Sequence, residues 1–536
     1  MGLSMSLSLI LFMSLLIGLV GGCTKKTRER PLVYCSEGSP STFNPQLATD
    51  GPSFNASSRV IYNRLVDFKP GSTEIVPSLA ERWEVGEEGR HYTFFLRPGV
   101  KFHSKGDFVP SRDFKAEDVL FTFNRQRLSD HPFHKVNNAG YEYFNSMNMG
   151  QLIEDIVAVD EYTVRFELAQ PEAPFLANLA MDFASILSAE YAQHLADRDQ
   201  KEQLDWQPVG TGPFVFQSYA KDNLIRYQAH PDYFEGAAKS SRLVFSITPD
   251  ASVRYQKLRA GECHLVAEPS PADLASMKSD GRVKLISQPG LNVGYVAMNV
   301  EKPPFDRVEV RRAIHHALNR ASYMDAIYMG HAQVAKNPIP PTLWSYNDKI
   351  KDYEYNPDRA RELLKEAGFE NGFEAEMWTL PVSRPYNPDG RKMGELIQAD
   401  LAQVGIRLRL VTYDWPTYLA KAKNGDHQML QLGWTGDNGD PDNFLNVLLG
   451  CSGVAAGSNV ARWCHQEFED LIVRARSLSD QKEREKLYRQ AQEIFKREAP
   501  WVTIAHSTVF RAMAPELQGY QLSPFGSESF HRLELK

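Results

Sequence analysis

No Cys-x-x-Cys pair occurs in the 536 residues, so the chain lacks the ligand spacing of a zinc ribbon and the dithiol of a thioredoxin-like site. It also lacks a His-Glu-x-x-His motif, a Gly-x-Ser-x-Gly elbow and a Gly-x-x-x-x-Gly-Lys-[Ser/Thr] loop. Metalloprotease, serine-hydrolase and P-loop ATPase readings therefore have no positive support. Close histidines occur only as His131 with His134 and as His315-His316. The second pair falls on a helix expected over 311–320, where adjacent side chains face different ways, so solvated or core histidines are expected and no metal. Basic residues are not in excess: the net charge of −7 excludes a generally basic nucleic-acid-binding surface. The Asp-rich run 437–442 is no calcium loop either. Counted from Asp437, its sixth residue is Asp442 rather than Gly and its twelfth is Leu448 rather than Glu.

What is present begins with length, which exceeds a single core and predicts two or three domains. Leu3 to Val20 is an apolar run that ends in Val20-Gly21-Gly22-Cys23. Small residues before a cysteine resemble the processing site of a bacterial lipoprotein signal, with 1–22 removed and Cys23 lipidated. An uncleaved membrane anchor is the alternative, since the run is long enough to span. Four cysteines then remain, Cys35, Cys263, Cys451 and Cys464. Outside the cytoplasm an even set suggests two disulfides, with three pairings open and four free thiols as the alternative. Cys451 and Cys464 flank a Gly/Ser-rich loop and form the natural local pair.

Strand and helix signals alternate in the later half. A helix follows Asn356-Pro357-Asp358, a strand covers 373–380, a helix spans Met393 to Val404, and a strand covers 406–411. A short helix begins near Trp415, and a strand covers 427–434. Such alternation predicts a parallel sheet, with ligands beyond the carboxyl ends of its strands. Just past those ends stand Arg384-Pro385-Tyr386, Tyr413-Asp414-Trp415 and Thr435-Gly436-Asp437. An Arg fork meets a carboxylate with two hydrogen bonds, an Asp accepts from an ammonium, and Trp415 and Tyr386 supply flat apolar walls. A zwitterion suits this set; solvated loop charges are the plain alternative.

Several stretches carry a resemblance: Pro77–Trp83 (PSLAERW), Phe114–Val119 (FKAEDV), Gly210–Phe214 (GTGPF), Val310–Ile314 (VRRAI), Leu32–Pro40 (LVYCSEGSP), Ser246–Tyr255 (SITPDASVRY), Pro289–Tyr295 (PGLNVGY) and Gly433–Phe444 (GWTGDNGDPDNF). With them the chain resembles the peptide- and nickel-binding family of extracytoplasmic solute receptors over nearly its whole mature length. The resemblance implies an α/β, two-lobed periplasmic-binding-protein fold of type II with an extra inserted domain. Lobe I is expected from 31–62, 211–290 and 508–536, the inserted domain from 63–210, and lobe II from 291–507. The two crossings are expected near Leu291 to Tyr295 and near His506 to Val509.

The resemblance also implies a function and a site. The receptor would be exported, lipid-tethered, monomeric and non-catalytic, without cofactor. It would enclose dipeptides and present them to the permease of an ABC importer in the inner membrane. Arg384 would take the peptide carboxylate and Asp437 the amino terminus. Trp415, Tyr386, Trp434 and Gly436 would line the pocket, and Thr49, Asp50 and Gly51 would face it from the other lobe. Position 50 departs from the family, where Ser is expected, and the added carboxylate favours basic side chains. The cysteines match family disulfides Cys35–Cys263 and Cys451–Cys464. A haem or glutathione receptor of the same family, or a lipid-anchored peptidase, are the competing functions.

Overall fold

The structure is a computed structural model that describes residues 30–136 and 140–536. The signal expected over 1–22 and the lipid site expected at Cys23 lie outside the described residues.

The later half folds as its periodicity predicts. Asn356 accepts from the Arg359 amide at 3.0 Å and starts helix Pro357–Glu366, which buries Ala360, Leu363 and Leu364. Asp389 caps helix Gly390–Ala402 through the Lys392 amide at 3.0 Å, and Asp414 caps Trp415–Asn424 through the Thr417 amide at 3.2 Å. Strand Phe373–Trp378 pairs in parallel with Ile406–Val411 on one side and Met429–Thr435 on the other. Their carboxyl ends therefore open on one edge. Boundaries differ by a few residues: the strands expected over 373–380 and 427–434 run Phe373–Trp378 and Met429–Thr435, and the helix marked from Met393 to Val404 runs Gly390–Ala402. The helix expected over 311–320 runs Val308–Ala317, the chain turns extended at Leu318, and a new helix spans Arg320–Tyr328. A tertiary contact ends it, for the Asn319 amide donates to Asp400 Oδ2 at 2.8 Å. His315 and His316 place ring nitrogens 2.9 Å and 2.8 Å from the carbonyls of Trp501 and Glu354, which uses them as backbone ties.

Strand Trp501–Met513 organises the whole molecule within a twelve-stranded sheet. Its first part pairs with Asn292–Met298 and Ala332–Val334, and through these the parallel strands above join the sheet. Its last part pairs with Lys284–Pro289 and Leu265–Val266, next to Leu32–Ser36, Arg242–Ile247, Leu224–Ala229 and Phe214–Ala220. A separate antiparallel sheet, Ala80–Gly86, His91–Leu96, Thr163–Leu168 and Ile153–Asp160, lies within the stretch expected as an insertion.

The long strand changes partners after Ser507, since Ser507 lies opposite Ala332 and Thr508 opposite Pro289. The second passage of chain, at Gly290 and Leu291, runs beside it. Asn292 ties the two: its Oδ1 accepts from the Ser507 amide at 2.9 Å, and its Nδ2 donates to the Ser507 carbonyl at 3.3 Å. A Cβ at position 290 would overlap both the Asn292 amide and the Ser507 carbonyl, so only glycine permits this approach.

Both disulfides of the resemblance are present. Cys35–Cys263 and Cys451–Cys464 have Cα atoms 5.9 Å and 4.7 Å apart, and they close loops of 228 and 13 residues. Loop entropy makes the first worth about 5 kcal/mol and the second about 3 kcal/mol in the chain-entropy model. Thermal melts of the paired Cys→Ser variants should show the larger loss of Tm for Cys35/Cys263. Equal melts for parent and both variants would remove the bonds from the stability account.

Candidate functional site

A cavity of about 350 Å³ lies at the carboxyl ends of the parallel strands and is roofed by residues of the other half. Eight of the nine side chains or turns expected from the sequence line it: Thr49, Asp50, Gly51, Arg384, Tyr386, Trp415, Trp434 and Asp437. Gly436 is not among the lining residues. Its amide donates to the Leu291 carbonyl at 2.7 Å, and the Leu291 and Phe444 side chains flank its Cα, so it packs behind the wall.

Arg384 sits on a loop held at three points. Its backbone pairs with Asn387 in both directions, at 3.1 Å and 3.0 Å. The Ser507 hydroxyl donates to the Pro385 carbonyl at 2.7 Å, and the Tyr328 hydroxyl donates to the Tyr386 carbonyl at 2.7 Å. The first of these links the loop directly to the point where the long strand changes partners. The guanidinium lies 4.9 Å from the centre of the Trp415 ring, a cation–π contact that orients it at little cost in hydration. Burial pushes the Tyr386 phenol upward, and the neighbouring Arg384 opposes that shift. The Tyr386 ring packs flat on Gly433, where a Cβ would overlap it.

Asp437 is the chemically distinctive residue. Its Oδ1 accepts from the Tyr143 hydroxyl at 3.0 Å and its Oδ2 from the Asn443 amide at 3.3 Å. Asn443 also accepts from the Asp437 amide at 2.9 Å and from the Trp434 indole at 3.1 Å, which fixes the turn. Part of the carboxylate faces the cavity while the surrounding protein withdraws it from bulk water. Burial accordingly pushes its pKa from 3.8 to about 7; Tyr143 and Asn443 hold it down and Asp182 raises it further. Among the described residues no Lys or Arg pairs with it.

Asp50 differs from its expected part. It caps the short helix Gly51–Ala56: Oδ1 accepts from the Ser53 amide at 2.9 Å, and Oδ2 accepts from the Ser53 and Ser41 hydroxyls, each at 2.8 Å. Its charge is spent on building the loop. Glu37 carries the less satisfied carboxylate there, with Oε2 buried and unbonded. Neither Glu37 nor Tyr143 was found by spacing. Tyr143 lies 294 residues from Asp437 on the stretch expected as an insertion, a separation that local pattern does not bridge.

The comparisons with known proteins bear on this geometry. The model of the bacterial extracellular solute-binding proteins, family 5, matches residues 74–456. The chain belongs to that family. This solute-binding protein is a receptor, not an enzyme, and it has the family's two lobes. It is 51% identical over 509 residues to the dipeptide-binding protein of Escherichia coli (strain K12), covering 95% of each chain. It is 49% identical over 507 residues to heme-binding protein A of Haemophilus influenzae, covering 95% of this chain and 92% of that one. The crystal structure of a dipeptide binding protein from Pseudoalteromonas sp. SM9913 in complex with Met-Leu matches with a TM-score of 0.90 at 39% identity, over 95% of this chain and all of the other. Among the described residues of the solute-binding protein, no helix is long and apolar enough to cross a membrane.

A pKa raised from 3.8 to about 7 makes Asp437 a cost to the unliganded fold. Below pH 4 the carboxyl is neutral in both folded and unfolded states. Between about pH 4 and 7 the unfolded chain releases the proton first, so folding loses up to about 4 kcal/mol, and the loss persists above pH 7. Asp437→Asn should therefore melt higher than the parent at pH 8, with the difference fading toward pH 4. A variant that melts lower at pH 8 would contradict this.

Proposed function

We propose that the protein is the exported substrate-binding component of an ABC importer, capturing dipeptides between two closing lobes and delivering them to a membrane permease. The observation that carries this reading is the Asp437 carboxylate: withdrawn from water, facing the cavity and, among the described residues, served by the neutral donors Tyr143 and Asn443. An ammonium of the ligand supplies the missing cation. Arg384, laid on Trp415, supplies a fork for the carboxylate at the other end. The indoles and phenols between them accept varied side chains through shape and dispersion rather than through specific hydrogen bonds. An extended peptide advances about 3.3–3.6 Å per residue, so fixed partners for both termini select one length. The dipeptide-binding relatives support that length.

Haem, the chemistry named for another relative, carries carboxylates and no ammonium, so it would leave Asp437 unanswered. Closure turns on the two passages at Gly290–Leu291 and Ser507–Thr508, and the Ser507 bond to Pro385 carries their movement to the Arg384 loop. The protein works as a monomer, tethered by lipid on Cys23.

Calorimetric titration of unliganded protein tests the clamp. Truncating one partner of a buried charge pair costs about 2–5 kcal/mol, which is roughly 30- to several-thousand-fold in affinity. Asp437→Ala should lose this much for free dipeptides and far less for N-acetylated ones; Arg384→Ala should show the mirror pattern with C-terminal amides. Equal losses for free and blocked peptides would sink the clamp. Tethering is tested separately by labelling cells with a palmitate analogue. Lipid should be found on the parent and lost in Cys23→Ser; an unlabelled parent ends that part of the reading.

A further inference from the structure

The turn that carries Asp437 is also held from behind, by charges that do not line the cavity. Asp440 accepts from Arg484 Nη2 at 2.8 Å, and Asp442 lies 3.6 Å from Arg476 Nε. The same Arg476 nitrogen donates to Glu172 Oε1 at 2.9 Å. Arg476 ends helix Gln466–Arg476 on the lobe of the parallel strands. Glu172 follows strand Thr163–Leu168 of the separate antiparallel sheet, on the other lobe. The pair therefore joins the stretch expected as the inserted domain of lobe I to the stretch expected as lobe II. Two neutral contacts cross beside it: the Ala173 amide donates to the Arg476 carbonyl at 2.7 Å, and the Asn438 amide donates to Asn178 Oδ1 at 3.0 Å.

We propose that Glu172 and Arg476 form a clasp across the cleft, an ion pair made on closure that braces the Asp437 turn and slows release of the enclosed ligand. The Glu172 side chain is 0% exposed and that of Arg476 is 9% exposed. Loss of Arg476 leaves Glu172 without its cation in the closed form, and loss of Glu172 leaves Arg476 only the longer contact to Asp442 at 3.6 Å, so either change favours opening. The turn itself transmits the effect. Residues 437 to 442 reach the ligand end through Asp437 and the clasp through Asp442, with Arg476 shared between Asp442 and Glu172. The network is also incompletely satisfied, because Glu172 Oε2 and Asp442 Oδ1 are buried without a hydrogen bond. Burial pushes both carboxyls upward while Arg476 holds them down. A contact of this kind favours closure without locking it, which a permanent structural bridge would not need.

The clasp rests on closure of the two lobes but not on which ligand they enclose. The full chain carrying Glu172→Gln, Arg476→Gln or both is tested by stopped-flow with Met-Leu as probe. Each single variant should speed dissociation about 10- to 100-fold and change association less than about threefold. The double variant should release the probe no faster than the single ones. Unchanged dissociation in both single variants, or losses that multiply in the double, would overturn the clasp. A merely structural defect would lower the active fraction without splitting the two rates. Should a Gln variant fail to melt cooperatively, Arg476→Lys, which keeps the charge and loses the fork, is read in the same way. Should the parent bind no Met-Leu, the dipeptide reading falls, and small-angle scattering decides the clasp alone: both Gln variants should scatter as larger particles than the unliganded parent, and identical profiles would overturn it.

Discussion

The structure depends on one strand that must satisfy both halves of the twelve-stranded sheet at once. Trp501–Met513 pairs through its first residues with Asn292–Met298 and Ala332–Val334 and through its last with Lys284–Pro289 and Leu265–Val266, so it is bonded along both parts. A strand of this kind cannot shift register in one lobe without disturbing the other, because a slip of one residue reverses every side chain. The two passages run side by side there, where Asn292, Gly290 and Ser507 hold the chains at contact distance. Function then follows from what stands near them. The Arg384 loop is bonded to Ser507, and the Asp437 turn spans from the cavity to the far contact at Glu172.

Within that frame, the cavity sets stability against use. A carboxylate raised to about 7 by burial is a liability in an unliganded fold, and the protein keeps it on a turn fixed by Asn443 and capped by Tyr143. The same is not true of Asp50, whose oxygens are saturated by its own loop. Two aspartates on one cavity thus stand differently: one shapes backbone, the other keeps part of its carboxylate toward the cavity. The difference lies in the donors around them and not in the residue type.

Much of this was legible in the sequence, and the unread part has physical causes. A cap and periodicity located the helix after Asn356, periodicity alone marked the helix from Met393 to Val404, which starts at Gly390, and alternation predicted the parallel order of the strands at 373, 406 and 429. From those ends, Arg384, Trp415 and Asp437 followed by geometry. Local pattern could not show that the helix after Val308 stops at Ala317, because the stop is made by Asp400, far along the chain. Nor could it show Tyr143 or Glu172, which reach partners 294 and 304 residues along the chain. Gly436 was placed on the right turn but on the wrong side of it, since a glycine has no side chain to announce its direction.

The first described strand has a mechanical consequence. Leu32–Ser36 lies between Arg242–Ile247 and Leu265–Val266 and runs parallel to both, with Cys35 bonded to Cys263. A load applied along the chain from residue 30 therefore meets its hydrogen bonds in shear, so that they must yield together rather than unzip one by one. Behind them stands a covalent bond, and all of this lies in the lobe that contains the strand. Tension on that end of the chain would be taken up by this half of the sheet before it reached the strands beyond Trp501–Met513.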